Sequence, residues 1–160
     1  MSVFAILAMD EKGGIGKDST LPWPHNSDDL KWFKEKTIGK TVIMGSNTWN
    51  DPIMPKPLIG RNTVVMTSKP YSLESGWDHT MAGSPIDVLA DLVVGGYDDI
   101  AIIGGANILN QFIDLCDEIY ITNIVGEYNC DTFIDVNKLK DFPNTENIKR
   151  DSISITVYKK

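Results

Sequence analysis

The sequence predicts an α/β fold. We expect a single domain with a central, mostly parallel twisted sheet, an antiparallel C-terminal edge strand and helices on both faces. Three observations predict it. Short apolar runs of strand character alternate with amphipathic helical patterns along the chain. The last two such runs have no clear helix between them, which suits an antiparallel pair. No internal repeat, low-complexity tract or linker breaks the 160 residues, so 1–160 is expected to form one unit.

In chain order, strands are expected at Val3–Met9, Thr41–Gly45, Asn62–Thr67, Ile100–Ile103, Glu118–Val125 and Ser152–Lys159. The first helix, Asp28–Lys36, follows a cap at Asn26 or Ser27. The second opens with Ser84-Pro85, an N-cap followed by proline at the first helical position, and sets Val88, Leu89, Leu92 and Val93 on one face. The third, Ala106–Leu115, spaces Ile108, Leu109, Phe112 and Leu115 at helical intervals. Gly126–Arg150 reads as loop with a short strand near Thr132–Ile134.

Composition narrows the function classes. Hydrophobic residues at 42% and charged residues at 23% are ordinary for a globular protein. A formal net charge of −7 argues against nucleic acid or an anionic membrane as the main partner. Arginine occurs at Arg61 and Arg150 and nowhere else, so a placed guanidinium is scarce. Cys116 and Cys130 lack C-x-x-C spacing, and His25 and His79 stand apart from both, so neither a zinc site nor a disulfide is expected. The apolar run Val3–Met9 is too short to span a bilayer and lacks a basic lead, and the expected setting is reducing and cytoplasmic.

The chemistry concentrates between Ile15 and Phe33. Asp29 falls on the apolar flank of the first helix with Leu30 and Phe33, where an unpaired carboxylate is costly to bury. Leu21-Pro22-Trp23 is a stiff apolar turn whose indole N–H can reach the same space. An acid in an apolar cleft has a raised pKa and suits proton transfer. The alternative is that Asp28 and Asp29 are both first-turn acids favoured by the helix dipole, and Asp28, on the flank of Trp32, fits that description better.

Three strand-to-helix or strand-to-turn junctions carry polar groups. Ile102-Ile103-Gly104-Gly105-Ala106-Asn107 is either a tight connection or a phosphate site; it lacks the G-x-G-x-x-G spacing of a dinucleotide fingerprint. Met44-Gly45-Ser46-Asn47-Thr48-Trp49 and Thr67-Ser68-Lys69 read singly as capping or turn chemistry. Together, beyond the carboxyl ends of strands in an open α/β sheet, they could hold a multiply phosphorylated ligand. Gly13-Gly14-Ile15-Gly16-Lys17 is not a P-loop, because Glu11 stands at the first glycine position and Asp18 follows the lysine. It reads as a flexible loop, a candidate lid over the cleft.

The ordered set Ile15-Gly16, Leu21-Pro22-Trp23, Asp29-Leu30 with Trp32-Phe33-Lys34, Val42-Ile43-Met44-Gly45 with Thr48-Trp49, Pro57-Leu58-Ile59-Gly60-Arg61, Ile103-Gly104-Gly105 and Asp131-Thr132 resembles dihydrofolate reductase over nearly the whole chain. The resemblance implies a dihydrofolate reductase-like fold and an antifolate-target enzyme that transfers a hydride from NADPH to 7,8-dihydrofolate. The product, 5,6,7,8-tetrahydrofolate, supports one-carbon metabolism and thymidylate synthesis. It implies that Asp29, with Trp23, Leu21 and Thr122, makes up the catalytic group, with Asp29 supporting protonation of the pterin N5 and Trp23 holding a water. It further implies that Ile6, Phe33, Ile53, Leu58, Ile103 and Thr122 line the substrate site beside Asp29, and that Arg61 pairs with the glutamate α-carboxylate.

For NADPH, the resemblance implies contacts from Ala8, Ile15, Gly16, Leu21, Gly45, Ser46, Asn47 and Thr48. Ile103, Gly104, Gly105, Ala106, Asn107, Ile108, Leu109 and Thr132 join them, and Thr67, Ser68 and Lys69 take the 2′-phosphate. The Gly104-Gly105 bond is implied to be cis, and the loop from Gly13 to Leu21 to close over the nicotinamide. The chain departs from the commoner family pattern at Ser46, Asn47, Leu109, Cys130 and Ile134. No metal is implied, and the default state is a monomer. Two other readings stay open on the residues alone. One is a reductase of this fold acting on a pyrimidine intermediate of riboflavin synthesis; the other is a folate- or nucleotide-binding protein without turnover.

Overall fold

The computed structural model describes residues 2–17, 21–24, 26–51, 58–67 and 77–160. In chain order these form β1 (Ser2–Met9), β2 (Gly14–Gly16), α1 (Ser27–Thr37), β3 (Thr41–Gly45), α2 (Ser46–Trp49), β4 (Asn62–Met66) and β5 (His79–Met81). There follow α3 (Pro85–Val94), β6 (Asp99–Gly104), α4 (Ala106–Phe112), β7 (Glu118–Asn123), β8 (Thr132–Phe133), β9 (Asn144–Arg150) and β10 (Ile153–Lys159). Short 3₁₀ helices cover Ile113–Leu115 and Val136–Asp141.

Eight strands make one sheet in the order β5-β4-β3-β6-β1-β7-β10-β9. Every pairing from β5 to β7 is parallel, whereas β10 runs antiparallel to both β7 and β9. The expected mixed sheet is present, with its antiparallel end at the C-terminus. Alternation along the strands divides the core into two layers. Val3, Ala5, Ile43, Val64, Ile100 and Ile102 face α3 and α4, meeting Val88, Leu89, Leu92, Leu109 and Phe112. Phe4, Ile6, Val42, Met44, Val65 and Ala101 face the other way, meeting Trp32 of α1 and Trp49 of α2. Helices therefore cover both faces.

Three strands escape the sequence pattern. β9 replaces the expected loop and displaces β10 from the edge of the sheet. Its residues are polar and exposed apart from half-buried Ile148, so no alternation betrays it; as an edge strand it needs only the β10 ladder. β5 has three half-buried residues and is too short for a periodic signal. β2 lies within the stretch expected to be a flexible loop, and it pairs antiparallel with β8 in a separate two-stranded ribbon. The 18–20 part of that loop lies outside the described residues.

The helices start where expected. Asn26 caps α1 by accepting from Asp29 N–H at 3.0 Å, and Ser84 caps α3 by accepting from Asp87 N–H at 3.2 Å. α4 ends at Phe112 and tightens into a 3₁₀ turn through Leu115. Val93 is 41% exposed, contrary to its expected place on the buried face of α3. One residue past Leu92 is a rotation of about 100°, which carries Val93 off the stripe. It joins Ile86 and Val94 on the outer surface. Among the described residues no helix is long and apolar enough to cross a membrane.

Candidate active site

A cleft of about 620 Å³ opens beyond the carboxyl ends of β1, β3, β4 and β6, the place where open α/β sheets hold ligands. The β3–β6 register shifts between Ile43 and Met44, where Gly104 replaces the next partner in sequence. Gly104 takes φ 136°, a conformation glycine tolerates, and the Gly104–Gly105 peptide is cis, as the resemblance implies. α2 and α4 start on either side, from Gly45 and Gly105, and neither start is capped by a side chain. The lining is mostly apolar, with Ile6, Phe33, Ile103 and Leu109 among its walls.

Asp29 lines this cleft from the first turn of α1. Its backbone N–H satisfies the Asn26 cap, which leaves the side chain free to turn inward. Thr122 Oγ1, on β7 and 1% exposed, donates to Asp29 Oδ1 at 2.7 Å. Burial pushes the Asp29 carboxyl above its ordinary value, and the Thr122 hydrogen bond offsets only part of that. The adjacent acid behaves oppositely. Asp28 accepts from the hydroxyl of Ser152, and from its N–H at 3.2 Å, which holds its carboxyl below the usual range. Asp28 is thus the structural first-turn acid and Asp29 the cleft acid.

The structure brings most of the expected residues to one cavity. Ile6, Ala8, Ile15, Gly16, Leu21, Asp29, Phe33, Gly45, Ser46, Asn47, Thr48 and Thr132 line it, with the whole run Ile103–Leu109. Others stand outside its lining. Thr122 sits behind Asp29, with its hydroxyl bonded to that carboxyl. Trp23 is buried, with its ring edge-on to Tyr128 at 6.0 Å. Leu58 is buried in the Trp32–Trp49 layer, beneath the surface it was expected to form. Thr67 follows β4, and it is Met66, one residue earlier, that reaches the cleft. Ile53, Ser68, Lys69 and His25 lie outside the described residues.

Arg61 stands beside the cleft and not in its lining. Its Nη1 donates to Thr37 Oγ1 at 3.2 Å and its Nε to the Ile59 carbonyl at 3.3 Å. The guanidinium carbon lies 5.9 Å from the ring centre of Phe33, which does line the cleft. Among the described residues no carboxylate pairs with it, and partial burial pulls its pKa down. A partly desolvated guanidinium without an acidic partner is suited to an incoming carboxylate.

Leu7, Leu30, Asp51 and Met66 also line the cleft and were not expected as contacts. Leu7 and Met66 lie next to expected positions along their strands, and the flank shared by Leu30 and Asp29 was a usable signal. Asp51 follows α2 with no motif to mark it. Among the described lining residues the charged side chains are Asp29 and Asp51, so an anionic ligand is met by neutral donors.

A family model described as dihydrofolate reductase matches residues 2–159. Dihydrofolate reductase type 8 of Escherichia coli is 33% identical, the match covering 100% of this chain and 96% of that protein. Dihydrofolate reductase of Bacillus subtilis is 37% identical, over 79% of this chain and 71% of that protein. The solved structure of Enterococcus faecalis dihydrofolate reductase, complexed with NADP(H) and RAB-propyl, superposes with a TM-score of 0.76 at 32% identity. That likeness covers 99% of this chain and 95% of the other. With the cleft, its acid and its cis glycine pair in the expected places, these matches show that the chain belongs to the dihydrofolate reductase family.

Proposed function

We propose that this cleft reduces 7,8-dihydrofolate to 5,6,7,8-tetrahydrofolate with NADPH, and that Asp29 manages the proton. The observation that carries this reading is the Asp29 carboxyl, turned into an apolar cleft, raised in pKa by burial and held by Thr122. A pure binding protein gains nothing from burying that acid.

The donor set fits a phosphorylated dinucleotide. Ser46, Asn47 and Thr48 bring hydroxyl and amide groups to the cleft at the start of α2, and Ala106 and Asn107 open α4 without a capping side chain. Gly45 permits the close approach: a Cβ there would stand 3.2 Å from Ile108 Cγ1. When bound, NADPH supplies the hydride. Ala8, Ile15, Gly16, Leu21, Gly45, Thr132 and the run from Ile103 to Leu109 hold it and keep water out, while Ser68 and Lys69, beyond the end of β4, select the 2′-phosphate.

On the substrate side, Asp29 accepts hydrogen bonds from pterin N–H groups and favours protonation at N5. Trp23 holds the water that links this acid to the ring. Ile6, Phe33 and Ile53 hold the pterin and benzoyl rings, Leu58 backs that wall from the core, and Arg61 receives the glutamate α-carboxylate through its planar fork. Residues 1–160 act as one unit, a monomer in a cytoplasmic setting. The test is NADPH oxidation by the purified protein with dihydrofolate, with the pyrimidine intermediate of riboflavin synthesis as a rival, and with NADH replacing NADPH. Turnover confined to dihydrofolate and NADPH is expected; turnover confined to the pyrimidine, or none, would overturn the reading.

A further inference from the structure

Asp10 follows β1, is 3% exposed and does not line the cleft. Its carboxylate nevertheless collects donors from two separate segments. Oδ1 accepts from Lys12 N–H and Gly14 N–H, each at 2.9 Å. Oδ2 accepts from Tyr128 N–H at 3.1 Å and the Cys130 thiol at 3.4 Å. Lys12 and Gly14 lead into β2; Tyr128 and Cys130 lead into β8. Those two strands pair with each other, and Ile15, Gly16 and Thr132 from them line the cleft. Tyr128 also carries its ring to Trp23.

The two segments meet without spare room. A Cβ on Gly14 would stand 2.4 Å from Cys130 Cβ and 2.5 Å from its Sγ. Burial pushes the Asp10 carboxyl up, but the hydrogen bonds together outweigh it and leave the group below its ordinary value. Both oxygens are therefore free to accept at neutral pH. An apolar side chain in this place would leave the Lys12, Gly14 and Tyr128 N–H groups without their acceptor, so the carboxylate is what ties the two segments together.

We propose that Asp10 is a positioning residue for the reductase reaction: its carboxylate joins the Gly14–Gly16 and Thr132–Phe133 strands into one wall of the cleft on its NADPH side. This rests on the function proposed above. Asp10→Asn keeps the shape but replaces one acceptor oxygen by an NH₂ group. Whichever way the amide turns, one segment then faces a donor with a donor.

The experiment measures NADPH affinity by fluorescence titration beside kcat, both KM values and Tm. Loss of the charged acceptor is expected to weaken NADPH binding about tenfold and to lower kcat, while KM for dihydrofolate moves less than about twofold. A lowered Tm with NADPH affinity and kcat unchanged would make Asp10 merely structural and overturn the proposal. Should Asp10→Asn not fold, Cys130→Ala removes one donor to Oδ2 while leaving the Lys12, Gly14 and Tyr128 N–H groups on the carboxylate. Weakened NADPH binding with an unmoved KM for dihydrofolate is the supporting outcome; NADPH affinity equal to that of wild type overturns it. Wild-type protein that bound no NADPH would instead sink the functional reading beneath.

Discussion

The hydroxyl of Thr122 donates to Asp29 Oδ1 at 2.7 Å, across 93 positions of sequence and from a different layer of the fold. Ala8 is the β1 partner of Thr122, so the register that aligns β1 with β7 also sets the hydroxyl against the acid. The bond lowers a pKa that burial has raised, and it fixes which oxygen of Asp29 is left for a ligand.

Thr122→Val removes the donor and keeps the shape. The Asp29 carboxyl then rises further, so the pH at which turnover falls away should move upward. A lost buried hydrogen bond of about 1 kcal/mol corresponds to a roughly fivefold drop in kcat/KM. Steady-state rates across pH check both, and an unmoved profile would detach Thr122 from the acid.

Asp29→Asn should stabilise the protein at neutral pH. Burial raises the folded pKa above the ordinary carboxyl value of 3.8, so the native state binds more protons than the unfolded chain between the two values. Wild-type stability therefore falls as pH rises from 3.8 through the folded pKa, and a neutral side chain escapes that loss. Tm of the variant should exceed that of wild type by roughly 2–4 °C for each kcal/mol relieved. The gap should close as pH falls toward 3.8.

Asp28→Asn is the contrasting control. Its pKa is lowered by Ser152, so its contribution is present above the ordinary value and is lost as pH falls through the folded one. The variant should keep wild-type kcat and KM, with a small Tm deficit at neutral pH that disappears in acid. Calorimetry at both ends of that range, beside a neutral-pH assay, checks it.

Arg61→Leu removes the guanidinium that stands over Phe33 without an acidic partner among the described residues. KM for dihydrofolate should rise by the worth of a charge-assisted pair, about 1.5–3 kcal/mol, with KM for NADPH unchanged. A dihydrofolate KM equal to that of wild type removes Arg61 from the substrate site.

How much of this was legible depends on the kind of signal each residue left. β3 was readable to the residue, because Thr41–Gly45 is a continuous buried run ending in glycine. Ser84-Pro85 fixed the start of α3, since a capping hydroxyl and a preset φ act locally. β9 and β2 were hidden because their partners, and not their own side chains, make them strands. The opposite fates of Asp28 and Asp29 were only half visible. Spacing could place Asp29 on the inner flank of α1, but the Ser152 anchor of Asp28 and the Thr122 contact are long-range. Asp10 left no signal at all: an acid after a strand, next to Glu11, gives no sign of the four donors that later converge on it.

The most direct measurement is kcat of Asp29→Asn for NADPH-dependent reduction of dihydrofolate at neutral pH, with circular dichroism to verify the fold. Removing the group that handles the proton should cost about 10²–10⁴ in rate while the variant stays folded. A folded variant turning over at the wild-type rate would contradict the account, because proton transfer would then need no carboxyl at this position.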